Sequence, residues 1–269
     1  MNWDWYSCTV SEPPDAVLGA LAEGQDLVDV RPVKGLYSYD RGAQLHRGDR
    51  VLVTAYWGGV NGDDSTHLQG TGADAPWVVN QVRTRWPAHR VARADVCEDF
   101  VAPGMWQRLS EIGLRVARDH RLKTNTVGDW IDGLDGRTLY LGARTARMRC
   151  RVYEKGIQVG GDRDWVRAEV QVRPSGEGKT ALCALEPAQI LGASSWTRDL
   201  ADALGMPDIA AVRVRDPWQP SEDQRALSFC LQQYGAVLGR KAAALGGFDK
   251  LGEYIGGVLK PVAIGPGKH

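Results

Sequence analysis

The segment Met148–Gly156, MRCRVYEKG, sets Arg149, Arg151, Tyr153 and Lys155 on one series of alternate positions and Met148, Cys150 and Val152 on the other. Successive side chains of a strand point to opposite faces of its sheet, so this spacing presents three cations and a phenol together, a surface suited to a phosphate chain. Two further stretches alternate in the same way. A strand near Val91–Asp99 places Arg93, Asp95, Cys97 and Asp99 on one side, and one near Asp164–Arg173 places Arg167 and Glu169 there. Carboxylates on neighbouring strands, Asp95 and Glu169, can hold a hard divalent cation, Mg²⁺ or Mn²⁺, which prefers oxygen ligands and keeps waters for a substrate phosphate. Tyr153 beside such a cation can attack a phosphodiester, while Arg93, Arg149, Arg151, Lys155 and Arg167 position the strand. A free phenol titrates near ~10, and neighbouring cations that favour phenolate are expected to sharpen Tyr153 as a nucleophile. The competing reading of the same residues makes Tyr153 a packing ring, and Asp95 and Glu169 salt-bridge partners of residues such as Arg93 and Arg167.

The elements that must position these groups are legible from periodicity. Trp3 to Val10 is aromatic and β-branched, and Ser11, Pro13, Pro14 and Asp15 open a helix to about Glu23. Leu27–Arg31, Gly35–Tyr39 and Arg50–Trp57 have strand character, and Gly58–Thr66 is a loop by its glycines and carboxylates. Asp74 before Ala75-Pro76 is placed to cap a helix that Pro87 ends. Met105, Leu109, Ile112 and Val116 recur at helical spacing, predicting an amphipathic helix over Gly104–His120. Strands follow at about Arg137–Ala143, Arg147–Lys155 and Asp164–Arg173. In the last of these Val166, Ala168, Val170 and Val172 share one face and Arg167, Glu169, Gln171 and Arg173 the other, so one face is buried and one solvated. The glycines of Gly156–Arg163 allow the last two strands to pair as a hairpin. Beyond Pro174 the texture turns helical. Ser195 opens one helix, and Ser221–Gln224 reads as a capping box ahead of a stripe of Leu227, Cys230, Leu231, Tyr234, Val237 and Leu238.

These elements predict an α+β fold: a curved antiparallel sheet with helices on its outer face and a helical C-terminal segment. A sheet domain over residues 1–174 would carry the chemistry, with 175–269 packed on it or continuing it. The 269 residues carry 33 basic and 33 acidic groups, so no global charge draws the chain to nucleic acid, and any DNA contact must be local. Residues 137–155 supply that locality, with six cations (Arg137, Arg144, Arg147, Arg149, Arg151, Lys155) against one anion, Glu154. Five dispersed cysteines without CxxC spacing argue against a disulfide framework or a cysteine zinc site. The five histidines form no HExxH pattern. Without an apolar run of membrane length or a basic-plus-apolar leader, a soluble cytoplasmic chain with no membrane partner is expected.

Taken in order, R-x-D-x-x-x-D-F at Arg93–Phe100, G-R-T-L-Y-L-G at Gly136–Gly142, R-V-Y-E-K-G at Arg151–Gly156 and W-V-R-A-E-V at Trp165–Val170 resemble the replication initiators of the Rep_trans type, found on rolling-circle plasmids and in filamentous phages. The resemblance runs from about Asn2 to Arg173. It implies that Tyr153 is the nucleophile that nicks one strand at a replication origin, leaving a 5′-phosphotyrosyl bond and a 3′-hydroxyl primer, and that Asp95 and Glu169 hold the divalent ion. It further implies a homodimer, a host helicase as partner, and single-stranded or hairpin DNA at the nick site. Ala143 stands where many relatives have Ser, Ala168 replaces a larger apolar residue, and the linker Gly156–Arg163 is shorter than in the plasmid proteins, which favours a phage-type initiator. Two rivals remain. One is a non-catalytic DNA-binding regulator on the same scaffold; the other is a water-using nuclease, for which Glu169-Val170-Gln171 lacks the usual lysine. The sequence does not identify the elements that discriminate bases; the Gly58–Thr66 loop and the helix after Ser221 are candidates, as are Trp57 and Trp165 for base stacking.

Overall fold

The computed structural model describes residues 1–206, 209–212 and 222–258, with backbone alone at 222–225. Ten strands form one open antiparallel sheet: β1 (Asn2–Val10), β2 (Val28–Lys34), β3 (Arg41–Arg47), β4 (Arg50–Trp57), β5 (Thr66–Thr71), β6 (Arg90–Val101), β7 (Thr124–Gly128), β8 (Arg137–Leu141), β9 (Met148–Tyr153) and β10 (Trp165–Val172). They lie in the order β2-β3-β4-β5-β1-β6-β10-β9-β8-β7, so the three strands that carry the candidate chemistry, β6, β10 and β9, are adjacent. The α+β architecture expected from the patterning is the one observed.

Alternation decides which face is covered. In β10, Val166, Ala168, Val170 and Val172 are buried, and Cys150 and Val152 of β9 join them in one core. Helices α1 (Pro14–Ala22), α2 (Ala75–Arg85), α3 (Met105–Asp119), α6 (Pro187–Leu191) and α7 (Ser195–Ala203) contribute Val17, Val78, Leu109, Ile190 and Leu200 to that core, and a short α5 (Gly178–Ala181) precedes α6. Trp106, Leu109 and Val116 are the buried stripe of α3, as its spacing requires. The compact unit runs from Met1 to Pro217, past position 174, because the segment beyond β10 is tied down. The Arg83 guanidinium of α2 donates to the Cys183 carbonyl at 2.9 Å and to Glu186 at 2.8 Å.

Several local expectations change. Asp74 makes no cap hydrogen bond to α2; its carboxylate accepts instead from Arg50, at 2.9 Å from Nε and 2.7 Å from the terminal nitrogen. Gly35–Tyr39 is a turn between β2 and β3 and not a strand. The connection from β9 to β10 contains a short helix, α4 (Lys155–Val159), so Lys155 opens a helix and leaves the strand's alternation. Gly156 is required there, since a Cβ would fall 1.5 Å from the Asp162 carbonyl oxygen. The edge strand β7 and the strand β5 have no alternating apolar pattern to announce them.

A second compact unit, Trp218–His269, contains α8 (Glu222–Leu245) and α9 (Phe248–Val258). Between these helices Ala242 and Leu251 are buried, and the Lys241 ammonium lies 4.7 Å from the Tyr254 ring centre. Leu227, Leu231, Tyr234 and Val237 of the α8 stripe are all more than half exposed. The side chains of the expected capping box, Ser221–Gln224, fall outside the described residues. Among the described residues no helix is long and apolar enough to cross a membrane, and all five cysteines are free thiols.

Two stability predictions arise from this packing. Gly70 of β5 faces α2 so closely that an added Cβ would sit 2.5 Å from Val78 Cγ2. Gly70→Ala should therefore cost about 1–3 kcal/mol, read as a fall in Tm of a few degrees or more by calorimetry; an unchanged Tm would contradict the packing. His67 titrates at about 4 in the folded chain, below the ordinary ~6.5, because burial, assisted by the Lys179 charge, disfavours the imidazolium. Between those values the unfolded chain binds more protons, so this contribution is complete above pH ~6.5 and is lost as pH falls toward 4. Denaturant titrations should show a loss approaching about 3 kcal/mol across that window, and His67→Gln should flatten the slope by that amount.

Candidate nucleic-acid interface and reaction centre

The uncovered face of β6, β10 and β9 gathers the polar residues of the three strands. Glu169 pairs in register with Cys97 on one side and Arg151 on the other, Gln171 with Asp95 and Arg149, and Arg167 with Asp99 and Tyr153. Asp95 and Glu169 are therefore diagonal neighbours on one face of adjacent strands, 1% and 2% exposed. The Tyr153 hydroxyl points at Glu169 Oε2 across 3.5 Å.

Both acids are held by arginine. The Arg151 guanidinium donates to Glu169 Oε2 at 2.6 Å, and Arg93 Nε donates to Asp95 Oδ1 at 2.9 Å, with Gln171 adding a bond to Asp95 Oδ2 at 3.2 Å. Two carboxylates together with substrate phosphate oxygens are a donor set that suits Mg²⁺ or Mn²⁺, which is commonly bound by one or two carboxylates plus phosphate. Arg93 and Arg151 neutralise these carboxylates in the free protein. Among the described residues no group of three or more His, Cys, Asp or Glu gathers as a self-sufficient metal cage.

Burial governs the titrations here. Desolvation raises the Glu169 carboxyl to about 7, the neighbouring Asp95 and Asp4 charges adding to the effect and Arg151 opposing it. The expectation that cations would ease ionisation of Tyr153 is reversed. Its ring is only 6% exposed, and burial followed by the Glu169 charge raises the phenol above its ordinary value, with Arg151 and Arg167 offsetting only part of that. The ring is covered by cations, with the Arg151 guanidinium 4.7 Å and the Lys155 ammonium 5.9 Å from its centre. Lys155 also donates to Gln158 at 3.1 Å.

Arg167 is placed differently from the other arginines. It donates to Asp99 Oδ1 at 2.7 Å and to Asp4 Oδ1 at 2.6 Å, leaving its side chain 13% exposed. Burial alone would raise the Asp99 carboxyl, but the hydrogen bonds from Arg167 and from Trp165 Nε1 outweigh it and hold it low. Asp4 was not legible as a site residue. A break in register between Trp3 and Trp5 turns both Asp4 and Trp5 toward the polar side while Trp3 and Tyr6 stay in the core.

Beside Glu169 the face opens into a pocket of about 210 Å³ lined by Arg93, Arg144, Arg149, Arg151, Arg173 and Tyr140, among others. Nε of Arg149 and of Arg151 are buried without a hydrogen-bond partner. Burial, then the charges of Arg173, Arg144 and Arg151, lower the Arg149 pKa, and its guanidinium stacks 3.8 Å from the Tyr140 ring centre. Guanidinium donors crowded by like charge are a donor set that suits anionic oxygens. Arg173 continues the alternation of Arg167, Glu169 and Gln171, so its sequence signal was present; Arg144 comes from the β8–β9 loop and had none beyond charge.

No curated protein matches the chain in sequence. Among solved structures, the rolling circle replication initiator protein from Geobacillus stearothermophilus superposes with a TM-score of 0.53 at 19% identity, covering 78% of this chain and 98% of that one. The model of the Rep_trans family, replication initiation factor, matches residues 91–182, a span that holds Asp95, Tyr153 and Glu169 but not β1–β5. From β6 to just past β10, then, this chain is a match to the Rep_trans replication initiation factors, carried on a fold similar to that of a rolling circle replication initiator.

Proposed function

We propose that the protein initiates rolling-circle replication by binding an origin and nicking one strand with Tyr153. The single observation that carries this reading is the convergence, inside the family-matched span, of a phenol, two buried carboxylates and an arginine pocket on one uncovered sheet face. Arg144, Arg149, Arg151 and Arg173 bind the phosphates of the strand, fixing its register without reading its sequence. Tyr153 Oη bonds to phosphorus, the bond from phosphorus to the 3′ oxygen breaks, and that oxygen leaves as the 3′-hydroxyl once protonated. The phenolic proton must depart as the new bond forms. Glu169, whose Oε2 lies 3.5 Å from the hydroxyl, is the described acceptor placed to take it. The 3.5 Å gap has to close for this transfer, and phosphates drawing Arg151 away from Glu169 would permit it. Asp95 and Glu169 are the residues that would hold a divalent cation, which when bound supplies neutralisation of charge at the phosphoryl oxygens.

A second copy of the chain and a host helicase are partners inferred from the resemblance alone. The non-catalytic regulator keeps one specific observation in its favour, the covered and hard-to-ionise Tyr153. Supercoiled DNA bearing the cognate origin, incubated with the protein and Mn²⁺, separates the readings. Nicking with protein fixed to the 5′ end is the expected result. Nicking without attachment would favour a water nuclease, and binding without nicking the regulator.

A further inference from the structure

The same polar face carries a second groove, of about 340 Å³, over β5, β1 and β6 and away from β9. Its floor is aromatic. Tyr39 and the nearly buried His67 line it with rings stacked 5.4 Å apart at 22°, and Tyr39 also stacks, at 6.3 Å and 18°, on Tyr56, which lies outside the lining. Tyr37 stands across the end of this stack, nearly perpendicular to Tyr56 at 5.9 Å, and is 61% exposed. The turn presenting it is strained, since Tyr37 and Ser38 both adopt left-handed backbone, φ 56° and 69°. Bulky residues seldom occupy that region, and such strain is found where a site uses it. Trp5 Nε1 and Gln69 Oε1, a donor and an acceptor from residues lining the groove, are buried without hydrogen-bond partners. Arg93, Arg173 and Lys179 give the rim a positive charge, and Arg93 and Arg173 also line the arginine pocket, so the two recesses share a wall.

We infer that this groove takes unpaired bases of the DNA strand whose phosphates occupy the arginine pocket. The inference rests on the DNA reading above and adds to it a single-strand subsite. Stacking on tyrosine is open to any base and closed to a paired one, whose faces are already covered, so the groove selects melted DNA. A base edge reaching Trp5 Nε1 or Gln69 Oε1 would give that group a partner. β5 lies four strand positions from β9, about 19 Å across the sheet, so the bases held are several nucleotides from the phosphate at Tyr153.

The test uses the full chain, a short labelled oligonucleotide and the same sequence as a duplex, read by fluorescence anisotropy. Tyr37→Asn removes the ring while keeping a residue that tolerates the left-handed turn. It should weaken single-strand binding about tenfold and leave duplex binding unchanged, and Tyr37→Trp should restore the single-strand affinity. An iodouracil-substituted oligonucleotide should photo-crosslink to Tyr37 or Tyr39. Unchanged single-strand affinity in Tyr37→Asn, or equal losses on both DNAs, would overturn the groove. If Arg149→Met weakens both DNAs in that case, the DNA reading itself survives; if the wild-type chain binds neither DNA, the underlying reading fails along with it.

Discussion

Tyr153→Phe should abolish strand cleavage and covalent attachment, a loss of roughly 10⁴-fold or more, while leaving DNA affinity within about twofold of wild type. The substitution deletes one oxygen from a ring that stays packed under Arg151 and Lys155. The hydroxyl's only described hydrogen-bond partner is the long contact to Glu169, so folding loses little by its removal, and Tm should hold or rise slightly. A variant that still nicks and still becomes attached would place the nucleophile elsewhere. A variant that unfolds would instead make the hydroxyl a structural group, which its 3.5 Å contact gives no reason to expect.

The second large effect belongs to the paired acids. Asp95→Asn and Glu169→Gln should each reduce nicking by about 10²–10³-fold, because each removes a charge that would hold the cation. The cation can also be read without activity. If Asp95 and Glu169 hold Mn²⁺ in the wild type, the ion at a hundred times its Kd stabilises the fold by about 2.7 kcal/mol, raising Tm by several degrees. That rise should vanish in Asp95→Asn and in Glu169→Gln. Arg93 and Arg151 must yield their partners for the ion to enter, so the Tm response should grow in Arg151→Met. A response equal in all variants would place the ion at another site, and none in the wild type would remove the cation from the account.

Much of the half that carries β6, β9 and β10 was legible because its elements repeat with a clean period. β10 alternates valine and alanine with Arg167, Glu169 and Gln171, and α3 repeats its apolar residues at helical spacing, so both appear where the pattern puts them. Strands without that contrast were not legible. β7 is exposed throughout, and β5, THLQGT, buries polar and apolar residues alike. Tyr37 and Tyr39 mimic a strand by composition, yet the chain turns there, and the aromatic groove they build was invisible. Lys155 opens α4 instead of continuing β9, next to Glu154, whose carboxylate accepts from the backbone N–H and the guanidinium of Arg137, at 2.8 and 2.9 Å. The phenol's reversed titration followed from burial, which no spacing of charges along a sequence reports.

The most direct measurement is to digest the protein–DNA adduct formed on an origin substrate and locate the nucleotide by mass spectrometry. The account predicts a 5′-linked nucleotide on the peptide containing Tyr153 and on no other peptide. Attachment to a different tyrosine, or cleaved DNA with no attached peptide, would contradict it.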